Sequence, residues 1–303
     1  MIDGIINVYK ETGITSHDVD AKLRGILKQK KIGHTGTLDP EAQGVLPVCL
    51  GKATKVCDLL TDKTKTYQAV LLLGRSTDTQ DTTGTVLAEK EVTCSEEEVR
   101  SCIASFVGEQ EQVPPMYSAL KVNGKKLYEL ARQGIEVERK ARVITIEDIV
   151  IDEVNLPEIV MTVTCSKGTY IRTLCNDIGE ALGCGGCMKS LLRTKVGPFE
   201  LTESVRLGEI EEMRDAGELE RIVKNTDSVF GHLPAFYLNG EAERLVRNGN
   251  PLHEELAKKC RRETDEELVD GMQFRVYGTD NIFLAVYEWK GQKHCLKAVK
   301  MFL

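Results

Sequence analysis

The stretch that most constrains this chain runs from Lys31 to Gly51: Lys-Ile-Gly-His-Thr-Gly-Thr-Leu-Asp-Pro-Glu-Ala-Gln-Gly-Val-Leu-Pro-Val-Cys-Leu-Gly. Gly33, Gly36 and Gly44 permit backbone angles that other residues resist, while Pro40 and Pro47 fix theirs and remove amide donors. This composition predicts a built loop rather than a regular helix or strand. At its centre Asp39 precedes Pro40, which pushes the backbone of Asp39 toward an extended conformation. An Asp before Pro often caps a turn or a helix start, and that is one reading. The other is functional: His34, three glycines and polar neighbours gather around one acid in a segment too glycine-rich to be core.

At 303 residues the chain is long enough for a larger domain and a smaller one. A hydrophobic content of 41% with 29% charged residues excludes a disordered chain. No apolar run approaches the roughly 20 residues of a membrane helix, and the N-terminal Met-Ile-Asp-Gly-Ile-Ile-Asn-Val-Tyr-Lys reads as a strand, not a secretory signal. A cytoplasmic location is expected. Of ten cysteines, Cys49, Cys57, Cys102, Cys165 and Cys175 fall in apolar patterns, where a reduced thiol acts as a small hydrophobe. Cys184-Gly-Gly-Cys187 lacks the second pair that a structural zinc site uses, so no metal and no disulfide is expected.

The net charge of −7 argues against wholesale coating of a polyanion, yet the charges are segregated. Lys22, Arg24, Lys28, Lys30 and Lys31 stand without an acid among them, and residues 121–142 hold Lys121, Lys125, Lys126, Arg132, Arg139, Lys140 and Arg142. Residues 207–220 are acidic. Such runs are often no more than a solvated face. With Lys189, Arg193 and Lys195, the basic clusters point to a groove for a polyanion.

Along the chain, Ile5 to Tyr9 reads as a strand and Thr15-Ser16 as the cap of a helix carrying Val19, Leu23, Ile26 and Leu27, ending at Gly33. A short helix is expected over 53–60, an alternating strand over 67–73, a polar loop over 75–84 and a strand over 85–88. Ser95-Glu96-Glu97-Glu98 is a capping box ahead of Val99, Cys102, Ile103 and Phe106. Residues 113–144 are irregular, with Asn123-Gly124 at a hairpin-like turn, and read as an arm able to close over an anionic ligand. Strands over 143–151 and 159–165 form an antiparallel pair. Ile171, Leu174, Cys175, Ile178 and Leu182 then define a helix, with Tyr170 and Arg172 at its start. Arg172 either serves a site or pairs with Asp177 or Glu180. After the acidic helices, a short helix over 241–247 and strands over 272–276, 282–288 and 294–302 form a small β-rich unit.

Three separated segments, Gly-His-Thr-Gly-Thr-Leu-Asp-Pro (33–40), Pro-Met-Tyr-Ser-Ala-Leu-Lys (115–121) and Ser-Lys-Gly-Thr-Tyr-Ile-Arg-Thr (166–173), make the chain resemble the bacterial tRNA pseudouridine synthases of the B type over nearly its whole length. The resemblance implies an α+β fold: a mixed, mainly antiparallel central sheet flanked by helices, catalytic over 1–232, with 113–144 as an RNA-gripping insertion and 233–303 as a small PUA-like RNA-binding domain. It implies that Asp39 is the nucleophile, that Arg172 pairs with it, that Tyr67 stacks on the base, and that Tyr170 and Leu191 line the uridine pocket while His34 meets the RNA. Lys10, Lys125, Lys126, Arg132 and Arg193 are expected on the RNA backbone. The implied partner is the tRNA T-arm, with the enzyme a monomer free of obligate protein partners, cofactor or metal. The implied reaction converts the T-loop uridine at position 55 to pseudouridine after flipping the base. An RNA-binding or tRNA-folding module, or a guide-dependent pseudouridylase, are the alternatives. Glu11, Cys187 and Leu192 depart from the usual family pattern, at the rim rather than at Asp39.

Overall fold

The computed structural model describes residues 1–122 and 124–303; Asn123 of the expected Asn123-Gly124 turn lies outside the described residues. The chain opens with β1 (Gly4–Lys10) and α1 (Ser16–Leu27), whose N-cap Thr15 and N3 residue Asp18 form a reciprocal capping box. The helix stops at Leu27, before the expected Gly33, because Lys28 takes a left-handed φ of 50°.

The Gly- and Pro-rich stretch is less irregular than its composition predicts. It contains β2 (Ile32–His34) and β3 (Gln43–Leu50), and only the bend between them is loop. Pro47 sits inside β3 because its outer neighbour changes there. β2 pairs with residues 48–50 of β3 and a later strand with residues 43–44, so the missing amide faces a gap between the two. The Pro47 carbonyl still accepts from Thr35 N at 3.0 Å. Gly44 is a forced choice: its φ is +107°, and a Cβ would lie 2.2 Å from the carbonyl oxygen of Arg193.

A 3-10 turn and α2 (Cys57–Thr61) lead to β4 (Lys65–Leu73), which buries alternate residues from Lys65 to Leu73. The polar segment expected as loop pairs instead: β5 (Arg75–Thr77) with β6 (Val86–Glu89). α3 (Glu96–Ala104), capped by Ser95 and Glu98, precedes β7 (Gly108–Gln112). The arm holds the hairpin β8 (Lys121–Val122) and β9 (Lys125–Lys126), then α4 (Leu127–Ala131). β10 (Arg142–Asn155) and β11 (Glu158–Cys165) form the expected antiparallel pair, followed by α5 (Ile171–Ala181), β12 (Gly186–Val196) and β13 (Phe199–Glu200). α6 (Leu207–Ala216) follows, and β14 (Val223–Lys224) completes the first sheet by pairing with β1.

That sheet runs β14-β1-β3-β12-β4-β11-β10-β7. It is mixed and mainly antiparallel, since among its described strand pairings only β3 with β12 is parallel. α3 and α5 cover one face over Ala69, Leu71, Met161 and Val163, while α1 packs Val19 and Leu23 against Ile6, Val8 and Val48 elsewhere on the sheet. Leu38 and Ala42, which bracket Asp39, are buried in the first of these cores, so the bend carrying the acid is anchored on both sides.

The C-terminal part is β-rich, as expected, but larger in strands. β15 (Ala235–Tyr237), β16 (Leu252–His253), β17 (Arg261–Arg262), β18 (Gln273–Tyr277), β19 (Phe283–Lys290) and β20 (Cys295–Met301) form a six-stranded sheet with α7 (Gly240–Arg247) and α8 (Glu254–Ala257). Its core gathers Phe236, Phe274, Tyr287 and Trp289. Val286 and Phe302 continue into a cluster with Ile5, Val45 and Phe230 of the first part, so the two parts share buried surface.

Candidate active site

Asp39 stands on the bend between β2 and β3, and the backbone there is held from several directions. Ser16, the first residue of α1, receives a hydrogen bond from Leu38 N at 2.9 Å. Gly13 N donates to the Pro40 carbonyl at 3.0 Å. Lys10 is fully buried and its ammonium donates to the carbonyls of Pro40 at 2.9 Å and Ala42 at 2.6 Å. Arg193, 1% exposed, donates to the carbonyls of Val45 at 2.7 Å and Gly36 at 3.0 Å. These contacts correct one expectation: Lys10 does not reach toward an RNA backbone but is an internal clamp that satisfies the carbonyls of an irregular segment. Arg193 clamps the same segment while also lining the cavity over Asp39. Burial lowers the Lys10 ammonium to about 8 despite the nearby Asp39 and Glu41 carboxylates.

Arg172 lies in the first turn of α5, and its guanidinium is 5% exposed. Its Nε lies 2.9 Å from Asp39 Oδ2, while Nη1 donates to the Thr79 carbonyl at 2.8 Å and Nη2 to the Tyr117 carbonyl at 2.7 Å. The pairing with Asp177 or Glu180 that sequence alone left open does not form. The grip on Asp39 is also single rather than bidentate, because the other two nitrogens are taken by carbonyls of the 75–84 segment and the arm. Asp39 therefore keeps one carboxylate oxygen free of the guanidinium, and its side chain remains 44% exposed.

Asp81 is the residue that sequence reading missed. Its Oδ2 lies 3.8 Å from Arg172 Nε, and its Oδ1 accepts from Thr79 Oγ1 at 2.7 Å and Thr83 N at 2.9 Å. The only signal was the run of Thr and Asp over 77–83, which reads as ordinary turn chemistry.

A cavity of about 590 Å³ opens over Asp39. Asp39, Tyr67, Tyr170, Arg172 and Leu191 all line it, although they come from the bend, β4, the N-cap of α5, α5 and β12. Burial pushes the Tyr67 phenol up, partly countered by the Arg193 guanidinium, so the ring is presented neutral. Tyr170 is fixed by a reciprocal pair with Gln112: its N donates to Oε1 at 2.8 Å and its carbonyl accepts from Nε2 at 3.0 Å. Arg142 covers the Tyr170 ring at 4.8 Å. Ser118, Ala119 and Leu120 of the arm close one side, and Lys65, pulled down to about 8 chiefly by burial, lines the floor.

The remaining predicted residues lie elsewhere. His34 does not line this cavity; its Nδ1 is drawn to Asp20 Oδ2 at 2.9 Å, beside a separate hollow. Lys125 and Arg132 are exposed on the arm, where Lys126 and Arg132 flank the Tyr128 ring at 5.3 and 5.4 Å. Lys189 and Lys195, expected in the polyanion groove, are paired with Glu158 and Glu200.

The model of the TruB family pseudouridylate synthase N-terminal domain matches residues 24–171, and that of the tRNA pseudouridylate synthase B C-terminal domain matches residues 172–230. A protein of Lachnoclostridium phytofermentans called tRNA pseudouridine synthase B is 54% identical over 310 residues, covering 100% of both chains. The chain belongs to the TruB family of pseudouridylate synthases. A Bacillus subtilis relative of the same name is 43% identical over 314 residues, covering 100% of this chain and 98% of its own. Among solved structures, a Cbf5-Nop10-Gar1 complex matches with a TM-score of 0.72 at 26% identity, covering 99% of this chain and 85% of the other. An H/ACA RNP bound to a substrate RNA matches with a TM-score of 0.73 at 24% identity over the same shares, a likeness of fold. As a TruB-family synthase the chain is an isomerase that converts uridine to pseudouridine. No helix among the described residues is long and apolar enough to cross a membrane.

Proposed function

We propose that this isomerase acts on the T-loop uridine of tRNA, position 55, with Asp39 as nucleophile and with the base flipped into the Asp39 cavity. The observation that carries the reading is a half-exposed carboxylate at the wall of a 590 Å³ cavity, held by a buried guanidinium and faced by aromatic and aliphatic side chains. The relatives that match the whole chain at 43–54% identity are named for tRNA, which supports tRNA as the substrate class.

The chemistry asks for these parts. Forming pseudouridine breaks the bond between C1′ and N1 and makes one between C1′ and C5, so the detached base must be kept captive and turned. A carboxylate can bond to the ring or to the sugar and then leave. Arg172 holds one oxygen of the Asp39 carboxylate and leaves the other free to attack. Tyr67 offers a neutral π face for the base, an interaction of about 1–3 kcal/mol. After the new bond forms, the proton on C5 must leave; Tyr67, its phenol kept protonated by burial, takes it only as a relay that passes its own proton on to water. Tyr170 and Leu191 complete the pocket wall. No electrons enter or leave in this sequence.

Extruding the base from a folded loop costs a few kcal/mol, offset by contacts elsewhere. The arm over 113–144, with Lys125, Lys126 and Arg132 beside Tyr128, supplies such contacts. The 233–303 unit is read as a second RNA-binding domain of PUA type, supported by its own core and by Arg261 stacked 3.8 Å over Tyr237. The enzyme acts in the cytoplasm as a monomer without a protein partner or guide RNA.

The test is incubation with an unmodified T-arm stem-loop alone, followed by carbodiimide primer extension. Stoichiometric pseudouridine at the T-loop position is expected. No product until a guide RNA is added would replace this reading with a guide-dependent one.

A further inference from the structure

Away from the Asp39 cavity, His17, Asp20 and His34 each bring one metal-ligating atom to within 4.8 Å of the others. His17 and Asp20 are three residues apart on α1 and share a face, and His34 is the last residue of β2. Asp20 is 3% exposed, and its Oδ1 has no hydrogen-bond partner among the described residues even though Oδ2 meets His34 Nδ1. A buried carboxylate oxygen left unpartnered is costly and is rarely retained without a use. The two imidazoles meet edge to face with centroids 5.0 Å apart. A hollow of about 530 Å³ opens beside them. The family resemblance assigns His34 to RNA and gives no role to His17 or Asp20.

We propose that His17, Asp20 and His34 form a zinc site that clips α1 to the strand leading into the Asp39 bend. Two imidazoles and one carboxylate suit Zn²⁺, and three protein ligands leave a fourth position for water from the hollow. Tetrahedral Zn²⁺ with bonds of about 2.0–2.2 Å sets its donors roughly 3.3 Å apart. His34 and Asp20 therefore separate by a few tenths of an ångström, and the exposed His17 swings in. Zn²⁺ takes His34 Nδ1 in the neutral tautomer whose single proton sits on Nε2; that proton faces Thr37 Oγ1, 3.4 Å away, which holds the ring in the ligating form. Arg24, 3.9 Å from Asp20 Oδ2, and Lys30 and Lys31 on the rim oppose the cation, so the site is weaker than an all-acid cage. The metal touches none of the groups that line the Asp39 cavity and acts on that cavity only through the loop that His34 leads into.

The test uses the full chain stripped with a chelator and titrated with Zn²⁺ alone by calorimetry, then with Co²⁺ read by visible absorption. One equivalent is expected, with the intense bands of tetrahedral cobalt and a rise in Tm that chelator reverses. His17→Ala and Asp20→Asn each weaken binding about tenfold or more. His17 is exposed, so His17→Ala is expected to melt like the wild type in the absence of metal, which separates lost binding from lost folding. Absence of saturable binding, or equal binding by the wild type and both variants with sulfur-to-cobalt charge transfer from the cysteines, overturns the proposal.

Discussion

Arg172 Nε lies 2.9 Å from Asp39 Oδ2, joining the first turn of α5 to a bend 133 positions earlier in the chain. The terminal nitrogens of the same guanidinium are spent on the Thr79 and Tyr117 carbonyls. One side chain thus sets the position of the acid, of the 75–84 segment and of the arm together.

Asp39→Ala is expected to lower turnover by a factor of about 10⁴ or more, as removal of a nucleophile does. Affinity for the RNA changes by no more than a few fold, measured by filter binding. A parallel loss of affinity would make Asp39 a structural cap instead.

Arg172→Ala leaves two carbonyls and one carboxylate without their donor. A fully buried broken pair costs about 3–5 kcal/mol, and the exposure of Asp39 reduces this to about 2 kcal/mol. Urea denaturation checks the stability, and Asp39→Ala in the same background should add little, since the two act on one interaction.

Gly44→Ala is expected to cost more than about 4 kcal/mol or to prevent folding, because the new Cβ meets the Arg193 backbone at a positive φ. Gly25→Ala is the control: it sits within α1 with nothing near its Cβ, and should gain about 0.5–1 kcal/mol. Thermal melts of the pair give opposite signs.

Lys65 has a pH signature. Its ammonium is lowered to about 8 by burial, while in the unfolded chain it stays protonated to the ordinary lysine value of 10.5. Between those values the unfolded state binds more protons, so this group's contribution to stability rises with pH. The urea midpoint of the wild type, relative to Lys65→Met, should climb from pH 7.5 to 10. A difference that stays constant with pH would show that Lys65 does not titrate in this window.

Neutralising Lys125, Lys126 and Arg132 together should weaken RNA binding and reduce the slope of log K against log salt by roughly 2–3, near 0.7–0.9 per phosphate contact. Turnover at saturating RNA should hold. An unchanged slope assigns the arm's charge to solvated surface.

Much was legible in order along the chain. Alternation in 67–73 and 159–165 and the stripes of α1, α3 and α5 come from local periods of burial, and caps such as Thr15 and Ser95 announce their helices. Composition misled where tertiary pairing compensates. The 31–51 stretch carries two strands because β3 changes neighbours at Pro47, and Arg75–Thr77 becomes a strand by pairing with Val86–Glu89.

The sequence by itself determined the Asp39 bend, the strands and helices that flank it and the family to which its motifs belong. Only the tertiary structure decided which charges meet. Inserting β12 between β3 and β4 sets Arg193 in register with both Gly44 and Tyr67, all but fully buried at the wall of the cavity, and the same packing buries Lys10 beneath the bend. It gives Arg172 to Asp39 rather than to Asp177 or Glu180, adds Asp81, and turns His34 toward Asp20. Local periodicity encodes which face of an element is buried. The partner of a buried charge is chosen by sheet order and by whichever carbonyls and carboxylates that order leaves unsatisfied.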